Sequence, residues 1–244
     1  MNKTSLIFLD TETTGTGPDG RLCQLAYKFN GEEVESLFKP PIPIEIGAMA
    51  VSHITNKMVA DKEMFMDSAM RKKLTDILSD GNIPVAHNAQ FDIEILKRDK
   101  VEVKNFIDTL KIAQHLDKEG DIPKYSLQYL RYYLDLEVEN IVAHSALGDV
   151  RVVEKLFEYF FQKMLAEIKD EEKVLKEMLD ISARPILIKK FTFGKYNGVK
   201  VANVAKNDPG YLKWMREQKM SAKERGEEND ENLIYTLDHY LVIV

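Results

Sequence analysis

From Leu6 to Gly15 the chain reads Leu-Ile-Phe-Leu-Asp-Thr-Glu-Thr-Thr-Gly, an apolar run that ends in two carboxylates. Side chains alternate across a strand, so Leu6, Phe8, Asp10 and Glu12 share one face while Ile7, Leu9 and Thr11 take the other. Both faces are apolar before Asp10. That is the pattern of a central strand covered on both sides, so any fold for this chain must bury this segment and let two acids emerge from its end, aimed the same way. Acids so placed suggest a metal site.

The rest of the chain is organised to supply such a strand with neighbours. Pro18-Asp19-Gly20 reads as a turn. Strand-like runs at Leu22–Phe29 and Val34–Phe38 are joined through Asn30-Gly31, a strong hairpin signal because both residues accept positive φ. The first three strands are therefore expected to form an antiparallel meander. Pro40-Pro-Ile-Pro43 cannot join a ladder and is a connector. Helical spacing follows over Glu45–Ser52 and Met66–Leu78, a fourth strand over Ile83–Ala86, a helix over Ala89–Asp99, and a fifth short strand at Phe106–Thr109. Further helices are expected near Leu110–Leu116 and Leu127–Leu134. Alternating strands and helices imply a parallel half to the sheet. From Ala146 a long helix carries Val153, Leu156, Phe157, Phe160, Phe161 and Met164 on one stripe, and Lys169–Ser182 continues as a charged amphipathic helix. The expected division is a domain over 1–168, a helical linker over 169–188 and a small basic module over 189–244.

Composition narrows the function classes. At 244 residues and 44% apolar content the chain can bury one good-sized core plus an appendage. No secretion signal or bilayer-spanning run is read. The single cysteine, Cys23, lies in an expected strand and reads as a small buried residue. These features favour a cytoplasmic protein. The net charge of −6 is unevenly spread: Lys189–Gly226 holds ten Lys/Arg against three Asp/Glu, +7, leaving −13 for the rest. The later segment would attract a polyanion, the earlier acids divalent cations.

Two further acids occupy helical faces that should be apolar. Asp149 precedes Val153 by four residues and Phe157 by eight, on the core stripe. It is either a first-turn acid stabilised by the helix dipole, with Ser145 as N-cap, or a ligand. Asp92 poses the same choice, on a face with Ile95 and Leu96 and with Asn88 as its potential cap. His144 stands on an expected loop just before the long helix. From there an imidazole could reach the cavity of Asp149, and its ordinary near-neutral pKa suits a group that takes a proton from water.

Asp10-Thr-Glu12 after a strand, His87-Asn-Ala-Gln-Phe-Asp92 and His144-Ser-Ala-Leu-Gly-Asp149 together resemble the three sequential motifs of the DEDDh family of 3′→5′ exonucleases. Ala50-Val-Ser-His-Ile-Thr-Asn-Lys-Met-Val-Ala60 is similar to a stretch of exodeoxyribonuclease X and the proofreading-type exonucleases. The resemblance covers roughly Leu6 to Phe161. It implies an α/β, ribonuclease H-like mixed sheet, three antiparallel strands then parallel ones, flanked by helices and followed by a small C-terminal module.

Four carboxylates converging on one cavity would raise one another's pKa unless cations neutralise them. Hard oxygen donors select Mg²⁺, with Mn²⁺ able to substitute, and two ions are inferred. The resemblance implies that Asp10 bridges both, that Glu12 and Asp149 complete the first, that Asp92 serves the second, and that His144 is the general base. It also implies nucleoside 5′-monophosphates released from a 3′ end. Main-chain groups near Thr13 and Thr14 would cradle the terminal nucleotide or merely form a turn, and Asn88 would orient substrate or cap its helix. Asp108, at a strand end where the resemblance often places an acid, is expected to support the ligand residues from behind or to be structural, and no chemistry is assigned to His53 or His87.

In the tail, Phe193-Gly-Lys-Tyr-Asn-Gly198 and Asp208-Pro-Gly-Tyr-Leu-Lys-Trp214 resemble a small module that follows the catalytic domain in some exodeoxyribonuclease X-like proteins. Asp208-Pro209 reads as a helix start, with Tyr211, Leu212, Trp214 and Met215 as its apolar face. Aromatics among cations would suit a single-strand platform, although in so small a unit Trp214 is expected to be core. Glu227–Glu231 is expected to be a mobile acidic loop. Tyr240-Leu-Val-Ile-Val244 reads as a strand that completes the module or meets another protein, whether a polymerase or a second copy. The expected partner is nucleic acid with a free 3′ end, DNA foremost. The rivals are an RNA-directed exonuclease, a proofreading subunit of a DNA polymerase complex and a non-catalytic binding module. A glycosidase is disfavoured, since its paired acids need no metal.

Overall fold

The computed structural model describes residues 5–138, 146–226 and 230–243. In it the Leu6–Thr13 strand (β1) is the central member of a five-stranded sheet of order β3-β2-β1-β4-β5. β2 (Leu22–Phe29) pairs antiparallel with β1 and with β3 (Glu32–Leu37), whereas β4 (Ile83–Ala86) and β5 (Ile107–Asp108) add in parallel. The expected meander and parallel half are both present. Asn30 and Gly31 both take positive φ, 50° and 83°, as the tight turn between β2 and β3 requires.

Each face of β1 is covered, as its apolar run demands. On one side Ile7 and Leu9 share a core with Leu74 and Ile77 of α3 (Ala69–Ser79) and with Ile95 and Leu96 of α4 (Ala89–Arg98). On the other, α7 (Ala146–Ile168) lies over β1, β2 and β4, and its Phe157 ring meets Phe8 edge-on at 5.6 Å. The stripe of Val153, Leu156, Phe157, Phe160 and Met164 is buried as its spacing requires. Two ion pairs tie α7 to the β2–β3 hairpin, Lys28–Glu154 and Arg151–Glu33, each at 2.6 Å.

Several boundaries differ from expectation for local reasons. The helix expected from Met66 begins at Ala69, because Ser68 caps it by accepting from the Arg71 amide at 3.1 Å. Phe65–Asp67 forms a short 3₁₀ turn before it, which places Phe65 against Phe38, ring to ring at 5.0 Å. Between Pro43 and that turn lie α1 (Ile46–Ser52) and the single-turn α2 (Asn56–Val59). After β5 come α5 (Thr109–Leu116), α6 (Leu127–Tyr133) and, beyond α7, α8 (Glu171–Ala183).

The chain separates into two compact units, Met1–Leu110 with Ser126–Leu179, and Lys111–Tyr125 with Asp180–Val244. The second therefore includes a segment that no composition break marks. Lys111 Nζ donates to the carbonyls of Ser182 and Arg184, Asp121 pairs with Lys190, and Glu119 with Lys200. Gly120, at φ 69°, lies so close to Lys189 that a Cβ there would approach the lysine Cβ to 2.6 Å.

The second unit has its own core of Phe191, Val201, Val204, Leu212, Met215, Leu233 and Leu237, built by α9 (Val201–Asn207), α10 (Pro209–Glu224) and α11 (Glu231–Ile243). α10 starts as expected: Asp208 accepts from the Tyr211 amide and Pro209 opens the first turn. Two expectations are corrected here. The apolar end is helical, because Leu233, Leu237, Tyr240 and Leu241 recur at helical spacing and pack on this core, outweighing the β propensity of the last few residues. Trp214 is 53% exposed. At the 100° advance per residue it lies roughly 130° around α10 from the midpoint of Leu212 and Met215, which face inward. Of the expected acidic loop, 227–229 lie outside the described residues and Glu231 begins α11.

Candidate active site

Where β1 leaves the core, Asp10 and Glu12 project from one face of the strand and meet Asp149 from the first turn of α7. The three carboxylates bring ligand oxygens within 4.8 Å of one another. The strand pairing shifts between Glu12 and Thr13, where β2 carries Cys23 as an extra residue. A bulge at this point turns the strand end beside the site. Cys23 is fully buried, and burial first, then the Glu12 charge, pushes its thiol up to about 12. It is therefore inert.

Asp92 reaches the site from α4 and is held by the opposite face of β1. The Thr11 amide and hydroxyl both donate to its Oδ1, at 3.0 and 2.6 Å. Burial raises the Asp92 carboxyl to about 7 despite those bonds, with the Asp108 charge adding to the rise. Asp10 is held well above the usual carboxylate range by burial and then by Asp92, Asp149 and Glu12. Glu12 is raised to about 7 by burial and by Asp149. The cluster is electrostatically frustrated without a counter-charge. An all-oxygen donor set with raised pKa values fits hard divalent cations, which take the place of the protons.

One member of this arrangement was missed in the sequence. Gln128 of α6 donates from Nε2 to Asp149 Oδ1, tying the carboxylate to a neighbouring helix. Nothing in the spacing of Gln128 marks it, because the two residues meet only through the packing of α6 against α7.

The remaining candidates fall as follows. His144 and Ser145 lie outside the described residues. Asn88 occupies the N-cap position of α4 at φ 63°, but its side chain makes no cap hydrogen bond there, so the capping role is not borne out. Its amide donates to Asp108 Oδ1, which also accepts from Leu110. Asp108 is thus a buried brace between the ends of β4 and β5, as expected. Thr14 is buried, its amide donating to the Arg21 carbonyl and its carbonyl accepting from Glu45, and the Thr13 hydroxyl donates to the Gly15 carbonyl. His87 bonds the Thr109 hydroxyl at 2.9 Å, and His53 ends α1 at φ 58°.

The profile of the family described as Exonuclease matches residues 7–157, which contain all four acids. The chain belongs to this exonuclease family. A second profile, Exodeoxyribonuclease X-like C-terminal, matches residues 191–219 of the exonuclease. Exodeoxyribonuclease 10 of Escherichia coli strain K12 is 34% identical over 219 residues, 86% of this exonuclease and 90% of the relative. The DNA polymerase III epsilon subunit of Buchnera aphidicola is 32% identical over 64% of this chain and 73% of its own. Among solved structures, exonuclease X in complex with 5′ overhanging duplex DNA aligns with a TM-score of 0.55 and 28% identity, covering 72% of this exonuclease and 99% of that chain. Both the family resemblance and the narrower likeness to exodeoxyribonuclease X are borne out.

Proposed function

We propose that this exonuclease removes nucleotides from the 3′ end of DNA as nucleoside 5′-monophosphates, with two divalent ions as cofactors. The observation that carries the reading is the convergence of Asp10, Glu12 and Asp149 in a chain whose family hydrolyses nucleic acid ends. DNA is favoured by the name of the bacterial relative and by the duplex bound in the aligned exonuclease X structure.

Asp10, Glu12 and Asp149 would hold one ion, and Asp10 with Asp92 the second. Mg²⁺ or Mn²⁺ bound there supplies charge neutralisation at the scissile phosphate and an acidified water. His144, five residues before Asp149, takes the proton from the attacking water. Water oxygen bonds to phosphorus as the phosphorus–O3′ bond breaks, and the departing 3′ oxygen is protonated from solvent. Asn88 and the main chain at Thr13 and Thr14 are proposed to position the terminal nucleotide.

The test is hydrolysis of 5′-labelled DNA and RNA, single- and double-stranded, with Mg²⁺ or chelator. Stepwise shortening of DNA only with Mg²⁺ is expected. Turnover in chelator would sink the metal reading, and faster RNA loss would make the chain an exoribonuclease. The epsilon-subunit relative favours a second reading, a proofreading partner, which predicts that a DNA polymerase co-purifies with the chain.

A further inference from the structure

The second unit exposes aromatic surface that its own core does not use. Trp214 is 53% and Phe193 42% exposed, and each is joined by ring contacts to a half-buried cluster. Trp214 lies against Tyr211 at 5.7 Å with the planes tilted by 36°. Tyr211 meets Tyr196 edge-on at 4.9 Å, and Phe191 links Tyr211 to Phe193, at 6.0 Å on each side.

The cluster is rigidly built. Asp208 caps α10 through the Tyr211 amide and accepts from the Tyr196 hydroxyl at 2.7 Å, so one carboxylate positions two of the rings. Gly194, at φ 67°, lets the backbone pass the Tyr211 hydroxyl, which a Cβ there would approach to 3.0 Å. Lys195 Nζ sits over the rings of Tyr196 and Tyr211, at 4.7 and 5.8 Å from their centroids. Its exposed pairing with Asp208 is the kind a phosphate readily replaces.

We propose that Trp214, with Tyr211 and Phe193, is a stacking platform for unpaired bases of a nucleic-acid strand, with Lys195 beside the rings to meet its phosphates. The proposal rests on the reading of this chain as an enzyme of nucleic acid ends. The local cation selects the occupant: Lys189–Gly226 carries +7 in a chain of net −6, but Lys190 and Lys200 are paired with Asp121 and Glu119, so the charge that matters at the rings is Lys195. Flat rings beside cations bind single strands without sequence preference, because every base offers a π-face while cations track the backbone. A paired duplex keeps its interior bases stacked on one another and offers such a face only at its two ends.

Trp214 is the chain's single tryptophan, so the proposed contact reports on itself. Its fluorescence is followed in the full chain, in chelator, during titration with oligothymidylate, with a blunt duplex of the same length and with inorganic polyphosphate. Saturable quenching by the single strand is expected, with little change from duplex or polyphosphate. In a separate measurement by labelled-oligonucleotide anisotropy, Trp214→Ala should weaken single-strand binding roughly 5–150-fold, and Trp214→Phe should restore most of the loss. Equal quenching by polyphosphate would reduce the surface to a charge effect and overturn the platform. An unresponsive Trp214 in a chain that hydrolyses the same oligonucleotide would also overturn it, leaving the enzyme reading intact. A chain that neither hydrolyses nor binds any nucleic acid would overturn both.

Discussion

Asp149 is steered from outside its own helix, since the amide that fixes its carboxylate comes from Gln128. Groups that orient a metal ligand are worth roughly 10–100-fold in affinity. Gln128→Ala should therefore weaken Mn²⁺ binding by about that factor, read by titration, while thermal stability without metal stays near wild type. His144 makes the opposite prediction: His144→Ala should lose on the order of 10²–10⁴ in rate while metal binding persists. Glu12 adds a pH signature. Its folded pKa of about 7 lies above the ordinary 4.5, so the fold favours the protonated acid. That contribution is fully present below about pH 4.5 and is lost as pH rises through 7. In chelator, the melting temperature of wild type minus that of Glu12→Gln should fall across this window. Saturating Mg²⁺ should abolish the fall.

At the scale of elements, β1 works because α7 and the α3–α4 side clamp it from both faces, leaving its end as the only place for charge. Phe157 is the contact through which α7 bears on Phe8. Phe157→Ala should cost about 3–5 kcal/mol of unfolding free energy in denaturant titration. The loss of activity under native conditions should exceed what the unfolded fraction explains, because the same helix carries Asp149. The strand order and the stripe of α7 were legible because alternation and helical spacing are local patterns that burial enforces. The terminal helix was not, because its apolar end favours a strand by composition, and its helical register shows only when Leu233 and Leu237 upstream are seen to share a packed face with Tyr240 and Leu241.

Across the whole molecule, the second unit is discontinuous in sequence. A chain ending before Asp180 would strip Lys111–Tyr125 of the partners that Lys111, Asp121 and Glu119 hold. Such a truncation should melt lower than the full chain and lose amide protection in 111–125 by hydrogen exchange, in addition to any loss of nucleic-acid binding. No helix among the described residues is long and apolar enough to cross a membrane.

The buried strand, the pair of acids at its end, the candidate ligands Asp92 and Asp149, the meander and the start of α10 follow from residue order, because each is written in local spacing or in a motif. Tertiary structure alone decided which acids converge, that Thr11 and Gln128 hold two of them, that Asn88 leaves its helix uncapped, and that Trp214 faces outward. Those outcomes depend on distances between elements far apart in the chain, and such distances come from packing, which residue order along one element does not encode.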